Sequence, residues 1–595
     1  MNNHMSDMKP ESARITASQA MIKVLEEWGV EHVFGLPGGS FDSTMDALHV
    51  RSDTMKYIQV RHEEAGALAA AGEAKFTGRI GVCFGSAGPG AVHLLNGLYD
   101  AKHDHVPVLA LVAQVPTSAM NTDYFQELPE EPIFADVACF NRTVMTAEQL
   151  PAVVDQAIRQ AYEHSGVAVV IIPKDLGWQQ IDDTFHATAH DYASTNEYPA
   201  PDMGLVRRAT EMLTNAKRPL IYFGMGARGA GKEIKELSDK LQIPIMSTAL
   251  VKGVLADSDP AYMLSAGRVA SKPGVDAART ADVVLFIGAN MPFLPFFVGP
   301  ETTVIQVNTK ATDMGKRHRV DLGIVADAKA TLQAMVQIAR PVESRTYYDA
   351  MVADKKNWNQ WLAARAEVDK TPLDVDAVFT QINRIAKSDA VFSVDVGNVT
   401  IDAVRLLDMV PTQKFATSAW YATMGNAVPA AIGAQESYPD RQVFSISGDG
   451  GFAMNMQDIL TQVKYREPII NVVLTNEALG FIEAEQDDNH QAHSGVDLID
   501  ADYGTAAAGL GAKGYEVHTL AELRQAFEEA AQYTEQRRGP VVIDVKIAND
   551  RPLPVEQLAL EPDARFSQEY VDQFKATYHT EGLTPVSELL NRFGA

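Results

Sequence analysis

The residues whose types best suit chemistry follow two neighbouring strands of one predicted sheet. A glycine-rich segment comes directly after the strand predicted at 442–447, and Asn476 follows the next strand, at 469–474. The segment consists of Gly448, Asp449, Gly450 and Gly451. Open α/β sheets bind ligands at the carboxyl ends of their strands, and Mg²⁺ prefers oxygen ligands that it shares with phosphates. Gly-Asp-Gly alone is typical of a turn, but the 25 residues between Gly450 and Asn476 favour a magnesium and diphosphate site.

A second candidate is a pair of carboxylates at the start of an alanine-rich helix. The strand predicted at 57–60 leads into Arg61, His62, Glu63 and Glu64, and the helix follows. Glu64 suits an ordinary role, because a glutamate in the first turn interacts favourably with the helix dipole. Glu63 enters the apolar part of the helix, and a buried carboxyl of this kind is a candidate for catalysis. Glu63 is therefore the better candidate of the two for a functional role.

Alternating helix-like and strand-like stretches position these candidates. Continuous apolar runs such as 106–113 and 469–474 predict buried parallel strands. The alternation occurs in three segments, so the predicted fold class is α/β, with three doubly wound parallel-sheet domains. A polar stretch at 182–202 predicts a linker. The sequence leaves open whether the first and third segments share one topology.

The predicted domains follow from these segments. They are a first domain at 1–190, a central domain at 196–345, a third domain at 346–555, and a C-terminal arm and helix at 556–595. The alternation of helix-like and strand-like stretches predicts these boundaries.

Composition limits the classes of partner. The formal net charge of −26 disfavours nucleic acid and anionic membranes over most of the surface. Only Cys83 and Cys139 are present, which is typical of a reducing cytoplasm. No stretch reads as a signal peptide or a membrane span. We expect a cytoplasmic protein with small-molecule ligands.

A third glycine-rich stretch lies in the middle segment. Gly224, Gly226 and Gly229 follow the strand predicted at 220–223 and form a GxGxxG pattern. No acidic residue ends the next predicted strand, 243–246, where a nicotinamide dinucleotide needs one for its ribose. The pattern alone therefore does not indicate a nicotinamide cofactor.

Nearly the whole chain resembles the pyruvate oxidase family of thiamine-diphosphate enzymes. The segments that carry the resemblance are 25–29, 84–90, 123–127, 265–268, 315–318, 418–428, 481–486 and 551–556. The Gly-Asp-Gly segment and Asn476 are similar to the family's cofactor signature, in which a second Asn stands where this chain has Glu477. The resemblance implies that Glu63 protonates the aminopyrimidine ring and that Met424 supports the bent cofactor. It also implies metal ligation by Asp449, by Asn476 and by the backbone carbonyl of Ala478.

The resemblance implies that 1–190 is a thiamine pyrimidine-binding domain, that 196–345 is a central FAD-binding domain, and that 346–555 is a thiamine diphosphate and Mg²⁺-binding domain. It also implies further contacts. Around thiamine and pyruvate it implies Gly39, Ser40, Phe125, Gln126, Phe481 and Glu485. Around FAD it implies Gly224, Gly226, Arg228, Thr248, Ser265, Arg268, Gly288, Asn290 and Asp327. Asn308 and Lys310 replace acidic residues of the family in the adenosine region. For Glu485, a solvated helix face is as good an interpretation as an active-site role. His93 could orient groups near the cofactor, but a hydrogen-bonded structural histidine is at least as good an interpretation.

The activity that the resemblance implies is oxidative decarboxylation. Pyruvate, phosphate and O₂ would give acetyl phosphate, CO₂ and H₂O₂, through a hydroxyethyl-thiamine intermediate that FAD oxidises. The alternatives are an acetolactate synthase-type carboligase, a quinone-reducing pyruvate dehydrogenase, and an inactive paralogue, which would be expected to lack Glu63 or Asp449. The family also implies a homotetramer with sites at subunit interfaces.

Overall fold

The computed structural model describes residues 13–187, 198–265, 267–290, 298–299, 301–366, 368–555, 561–562, 564 and 566–593. Three six-stranded sheets lie within them, and every strand pair in these sheets is parallel. The predicted fold class is therefore confirmed. Residues 188–197 of the predicted linker lie outside the described residues.

The first domain contains eight strands. They are β1 (Arg14–Thr16), β2 (His32–Gly35), β3 (Lys56–Gln59), β4 (Gly81–Gly85), β5 (Val108–Gln114), β6 (Ala138–Thr143), β7 (Val167–Pro173) and β8 (Gln180–Asp182). The sheet order is β3-β2-β4-β5-β7-β6, and β1 pairs separately with β8. Alternate residues of β5 belong to two different core clusters, Leu109 and Leu111 to one and Ala110 and Val112 to the other. Both faces of this sheet are therefore covered.

Eight helices accompany this sheet. They are α1 (Ala17–Glu27), α2 (Asp42–Val50), α3 (Glu63–Thr77), α4 (Pro89–His93), α5 (Leu95–His103), α6 (Glu130–Phe134), α7 (Leu150–His164) and α8 (Lys174–Gly177).

The middle domain contains β9 (Pro219–Phe223), β10 (Ile245–Ser247), β11 (Tyr262–Ser265), β12 (Val283–Ile287), β13 (Thr303–Asn308) and β14 (Leu322–Val325). Their order, β11-β10-β9-β12-β13-β14, is that of dinucleotide-binding sheets. The helices are α9 (Met203–Asn215), α10 (Gly231–Leu241), α11 (Lys272–Thr280) and α12 (Ala328–Ile338), and α13 (Thr346–Ala366) connects to the third domain.

The third domain contains β15 (Val391–Val394), β16 (Lys414–Ala416), β17 (Val443–Gly448), β18 (Ile469–Thr475), β19 (Lys513–Val517) and β20 (Val541–Lys546). Its helices are α14 (Val375–Ile385), α15 (Asn398–Leu406), α16 (Ala427–Ser437), α17 (Asp449–Asn455), α18 (Ile459–Tyr465), α19 (Gly480–Asp488), α20 (Tyr503–Gly509) and α21 (Leu520–Glu535). The sheet order is β16-β15-β17-β18-β20-β19. Counted from the first strand of each six-stranded sheet, this order equals that of the first domain.

Equivalent helices of the first and third domains pack against each other. Both α3 and α16 follow the second strand of their sheets, and they cross where small residues meet. A Cβ atom added to Gly72 would lie 2.6 Å from Cα of Ala430, and one added to Gly433 would lie 2.2 Å from the carbonyl oxygen of Ala69. Only glycine allows this approach, which joins the domain of Glu63 to the domain of Asp449.

The C-terminal region contains two helices where one was predicted. They are α22 (Gln568–Tyr578) and α23 (Val586–Phe593), and residues 556–560 of the predicted arm lie outside the described residues. The indole N–H of Trp361, on α13, donates to the carbonyl oxygen of His579 at 2.8 Å. Across the described residues, no helix combines the length and apolar character that a membrane span requires.

Candidate active site

Asp449 and Asn476 lie side by side because their strands are neighbours in the third sheet. Gly448, at the end of β17, pairs with Leu474 near the end of β18, so both polar residues leave the sheet at one edge. The carboxylate of Asp449 accepts backbone N–H groups from Gly450 and Glu477, each at 2.9 Å. Burial raises the pKa of Asp449 to about 6. The segment thus holds one buried, oriented carboxylate.

Three oxygen atoms converge at this edge. Oδ1 of Asn476 lies 3.2 Å from Oδ1 of Asp449 and 3.0 Å from the carbonyl oxygen of Ala478. Adjacent ligands of an octahedral Mg²⁺ ion lie about 2.9 Å apart, as bonds of about 2.1 Å require. Three facing acceptors repel one another unless a cation lies between them. The donor set and its spacing therefore fit Mg²⁺, and the three predicted ligands are brought together.

The glycines of the segment allow close packing around this edge. A Cβ atom on Gly450 would lie 3.3 Å from Cε of Met424, and one on Gly451 would lie 2.9 Å from Cγ of Asp395. Gly425, next to Met424, has a φ of +83°. Its N–H donates to Oδ1 of Asp395 at 2.8 Å. Met424 is thus held over the glycine-rich turn, and its support of a cofactor stays a prediction.

Glu63 is the first residue of α3 and is only 6% exposed. Its Oε2 atom lies 2.9 Å from Nδ1 of His93. The ring of His93 stacks on that of His62, with 4.1 Å between the centroids. A Cβ atom on Gly90 would lie 3.0 Å from Oε1 of Glu63. Glu63 is therefore a buried carboxyl with one oxygen paired to an imidazole and the other facing a glycine-rich turn.

Ser40 and Gln126 border the same turn. The hydroxyl of Ser40 lies 2.7 Å from that of Ser86 and accepts the N–H of Ala87 at 2.9 Å. A Cβ atom on Gly88 would lie 3.0 Å from the carbonyl oxygen of Gln126. Two of the predicted pocket residues thus lie beside the turn that contacts Glu63.

Gly39 and Phe125 are less enclosed. No atom of the described residues lies within 4 Å of a Cβ position on Gly39. Phe125 is 79% exposed, and Tyr124 beside it is also exposed. Within the described part of this single chain, Phe125 does not line an enclosed pocket.

Arg268, Phe481 and Glu485 form a group between the middle and third domains. Nη1 of Arg268 lies 2.5 Å from Oε1 of Glu485. The guanidinium of Arg268 also lies over the ring of Phe481, 5.6 Å from its centroid. Glu485 thus forms an ion pair while 44% of its side-chain surface is exposed, and its role in the active site stays a prediction.

All three domains of the chain are similar to domains of known proteins. Residues 15–133 match the N-terminal thiamine pyrophosphate (TPP) binding domain of the thiamine pyrophosphate enzymes, residues 206–335 match the central domain, and residues 395–545 match the C-terminal TPP binding domain. The chain belongs to the thiamine pyrophosphate enzymes. Its first and third domains are the two thiamine-pyrophosphate-binding domains of that family.

Three relatives illustrate the range within the family. The chain is 48% identical to pyruvate oxidase of Lactiplantibacillus plantarum, over 98% of this chain and 96% of the relative. It is 42% identical to a putative thiamine pyrophosphate-containing protein of Bacillus subtilis, over 91% and 93%. It is 30% identical to acetolactate synthase of Arthrospira platensis, over 92% and 96%.

The residues predicted to contact FAD have mixed surroundings. Gly224 and Gly226 pack against Gly288, whose φ is +59°, so close approach of two strand ends already requires these glycines. The hydroxyl of Thr248 is buried without a hydrogen-bond partner among the described residues, as expected of a group that awaits a ligand. The Ser265 hydroxyl instead donates to a backbone carbonyl of β10 at 3.1 Å.

The remaining predicted FAD contacts are also divided. Asp327 accepts the N–H of Ala330 at 2.7 Å and caps α12, and Arg228 donates to the carbonyl oxygen of Lys75 at 3.0 Å. Asn290 lines a small open cleft of about 20 Å³ beside β12 and β13.

Sequence reasoning missed several residues that shape the site. Asp395 follows β15, has no exposed surface, and holds the Met424 turn through Gly425. Asp458 accepts the N–H of Arg61 at 3.0 Å and so links the third domain to the turn before Glu63. The position of Asp395 after a predicted strand was an available signal, whereas no pattern indicated the contact of Asp458.

Proposed function

We propose that the protein is a cytoplasmic, homotetrameric pyruvate oxidase that uses thiamine diphosphate, FAD and Mg²⁺. Pyruvate, phosphate and O₂ would be converted into acetyl phosphate, CO₂ and H₂O₂. The observation that carries this proposal is the 48% identity, over 98% of the chain, to a pyruvate oxidase. The oxygen cluster at Asp449 and the buried Glu63 support the chemistry.

The residues of the third domain would hold the diphosphate end of the cofactor. Asp449, Asn476 and the carbonyl of Ala478 would ligate Mg²⁺, and Gly450 and Gly451 would admit the diphosphate. When bound, thiamine diphosphate supplies a nucleophilic carbon and an electron sink for decarboxylation, and FAD supplies an acceptor for two electrons. Met424 would support the rings from below.

Glu63 would hold the proton that the cofactor ring needs. Its burial keeps water away, and His93 at 2.9 Å fixes its orientation. General acid–base catalysis by a positioned carboxyl contributes about 10²- to 10⁴-fold to a rate. Ser40, Gln126, Phe481 and Glu485 would then bind pyruvate around that acid.

The middle domain would bind FAD. Its strand order is that of dinucleotide-binding folds, and the buried hydroxyl of Thr248 supports this assignment. Arg268 would lie between the flavin and pyruvate, where its ion pair with Glu485 joins the two domains.

A second copy of the chain would complete the site. Phe125 is 79% exposed, and Trp420 and Met454 in the third domain are 42% and 55% exposed. Large apolar side chains are typical of protein interfaces, so these exposures support burial by a partner subunit.

The test is a product assay on purified protein. A flavin absorbance spectrum is expected, together with acetyl phosphate and H₂O₂ from pyruvate only when phosphate is present. Acetolactate without peroxide would contradict the proposal and favour a carboligase. Reduction of a quinone without peroxide would contradict the assignment of O₂ as acceptor.

A further inference from the structure

The side chain of Asn476 can serve a cation only in one of its two orientations. Its amide oxygen faces Asp449 and Ala478, and its amide nitrogen donates to Oδ1 of Asn549 at 2.8 Å. In the reverse orientation the nitrogen would donate to both facing oxygens. That reverse orientation is favourable without a cation and removes one metal ligand. The site therefore needs a partner that fixes the amide.

Asn549 and Glu483 together provide this constraint. Nδ2 of Asn549 donates to Oε2 of Glu483 at 2.7 Å. An ionised carboxylate only accepts hydrogen bonds, so Asn549 must direct its nitrogen to Glu483 and its oxygen to Asn476. Reversal of the Asn476 amide would then place two amide oxygens 2.8 Å apart. The carboxylate of Glu483 thus sets the orientation of the Asn549 amide, and Asn549 in turn sets that of Asn476.

Glu483 is itself held in place. Its Oε1 atom lies 2.9 Å from Nδ1 of His493, whose Nε2 lies 2.7 Å from Oδ1 of Asp487. A Cβ atom on Gly480 would lie 3.0 Å from Nδ2 of Asn476 and 3.3 Å from Oδ1 of Asn549, so α19 begins in direct contact with the two amides. Glu483, Asp487 and the glycine all belong to this one helix.

We propose that Asn549 and Glu483 are positioning residues of the magnesium site, because they lock the amide oxygen of Asn476 towards the cation. The inference rests on the proposed thiamine diphosphate and Mg²⁺ site. Partners that orient metal ligands commonly contribute about 10- to 100-fold to metal affinity. Neither residue contacts the cation, so their effect passes through Asn476.

The experiment is a calorimetric titration of Mg²⁺ into purified protein at saturating thiamine diphosphate. Asn549→Ala is expected to weaken Mg²⁺ binding by about 10- to 100-fold. Glu483→Gln is expected to weaken it less, because a glutamine amide can still accept from Asn549. The matched control is Asp488→Asn, which removes a carboxylate from the same helix at a residue paired with Arg551, and its affinity should equal that of the parent.

A double-variant cycle separates orientation from a general structural effect. Aspartate has two equivalent oxygens and needs no orientation, so Asn549→Ala should cause no further loss in an Asn476→Asp background. Equal losses in both backgrounds would overturn the proposal, as would unchanged Mg²⁺ affinity in Asn549→Ala alone. Thermal unfolding without metal verifies that each variant is folded.

Turnover provides a second readout. The Mg²⁺ concentration for half-maximal activity should rise in Asn549→Ala, whereas kcat at saturating Mg²⁺ should equal that of the parent. A lower kcat at saturating Mg²⁺ would overturn the proposal. The calorimetric result does not depend on which product forms, so a carboligase product would contradict the proposed activity while leaving this inference standing.

Discussion

The first and third domains have the same strand order but carry different chemistry. In each, a glycine-rich turn follows the third strand of the six-stranded sheet, and the second strand leads to the helix of the interdomain contact. In the third domain the ends of the third and fourth strands carry Asp449 and Asn476. The corresponding ends in the first domain carry Ser86 and Gln114, and Gln114 is occupied by backbone groups of Leu128 and Val115.

The difference shows how one topology supplies two halves of a site. Among the described residues, the first domain shows no equivalent of the three-oxygen cluster at its strand ends, and it instead presents Glu63 at the start of α3. The equivalent helix of the third domain, α16, begins after Asn426 and has no acidic residue in its first turn. The third domain is therefore suited to a cation and a diphosphate, and the first to a proton.

The largest expected effect comes from removing the carboxylate that distinguishes the third domain. On the proposed assignment Asp449→Ala removes a cation ligand, so thiamine-dependent turnover should fall by about 10³-fold or more, equal to about 4 kcal/mol. Ser86→Ala, at the corresponding position of the first domain, should leave Mg²⁺ affinity unchanged. Equal losses of Mg²⁺ affinity in both variants would contradict the division between the domains.

Disruption of the contact between α3 and α16 should have the second largest effect, in this case on the stability of the protein. In Gly433→Val the new side chain would meet the backbone of α3, and we expect a loss of about 3 kcal/mol in the free energy of unfolding. Denaturant unfolding measures this loss. Gly229→Ala is a suitable control, because no atom of the described residues lies within 4 Å of a Cβ position there. Parental stability in Gly433→Val would show that the helices do not pack this closely.

Asp395 should reduce stability near neutral pH. Burial raises its pKa to about 6 in the folded protein, above the value near 4 that an unfolded aspartate has. The protonated carboxyl therefore costs no stability below about pH 4. The free energy of unfolding falls as the pH rises from about 4 through about 6, because the buried carboxyl must ionise. Asp395→Asn should raise the free energy of unfolding by about 1–3 kcal/mol at about pH 7. Denaturant unfolding across this pH range tests the sign, and a gain confined to low pH would contradict it.

The smallest expected effect concerns the polar contact between the domains. Nδ2 of Asn96 donates to Oε1 of Glu64 at 2.7 Å and to the hydroxyl of Thr423 at 2.9 Å. Asn96→Ala should lower the free energy of unfolding by about 1 kcal/mol. Thermal unfolding measures the change. A loss larger than that of Gly433→Val would show that the polar contact contributes more to stability than the helix contact.

Sequence patterns predicted most central strands, but they missed the buried central strand β7 and most edge strands. β5 and β18 are buried at every position, so they read as continuous apolar runs. β14 alternates buried and exposed residues, and β16 has only three residues, so neither produces such a run. The shared topology of the first and third domains depends on these edge strands, which explains why it could not be predicted.

The candidate residues that directly follow predicted strands could be found from the sequence. Asp449 and Asn476 lie on consecutive strands of the chain, and Glu63 follows a strand directly. Asn549 lies 73 residues beyond Asn476, and only the fold brings their amides together. The ligation by Ala478 came from family resemblance alone, since a backbone carbonyl has no sequence signature.

The most direct test of the division between the domains is the rate of pyruvate decarboxylation in Glu63→Gln. With cofactor binding verified by calorimetry, the rate should fall by about 10²- to 10⁴-fold, because glutamine cannot transfer the proton. Glu64→Gln, at the next position of the helix, is the matched control and should lose far less. A cofactor-loaded Glu63→Gln protein that decarboxylates pyruvate as fast as the parent would contradict the assignment of the acid to the first domain.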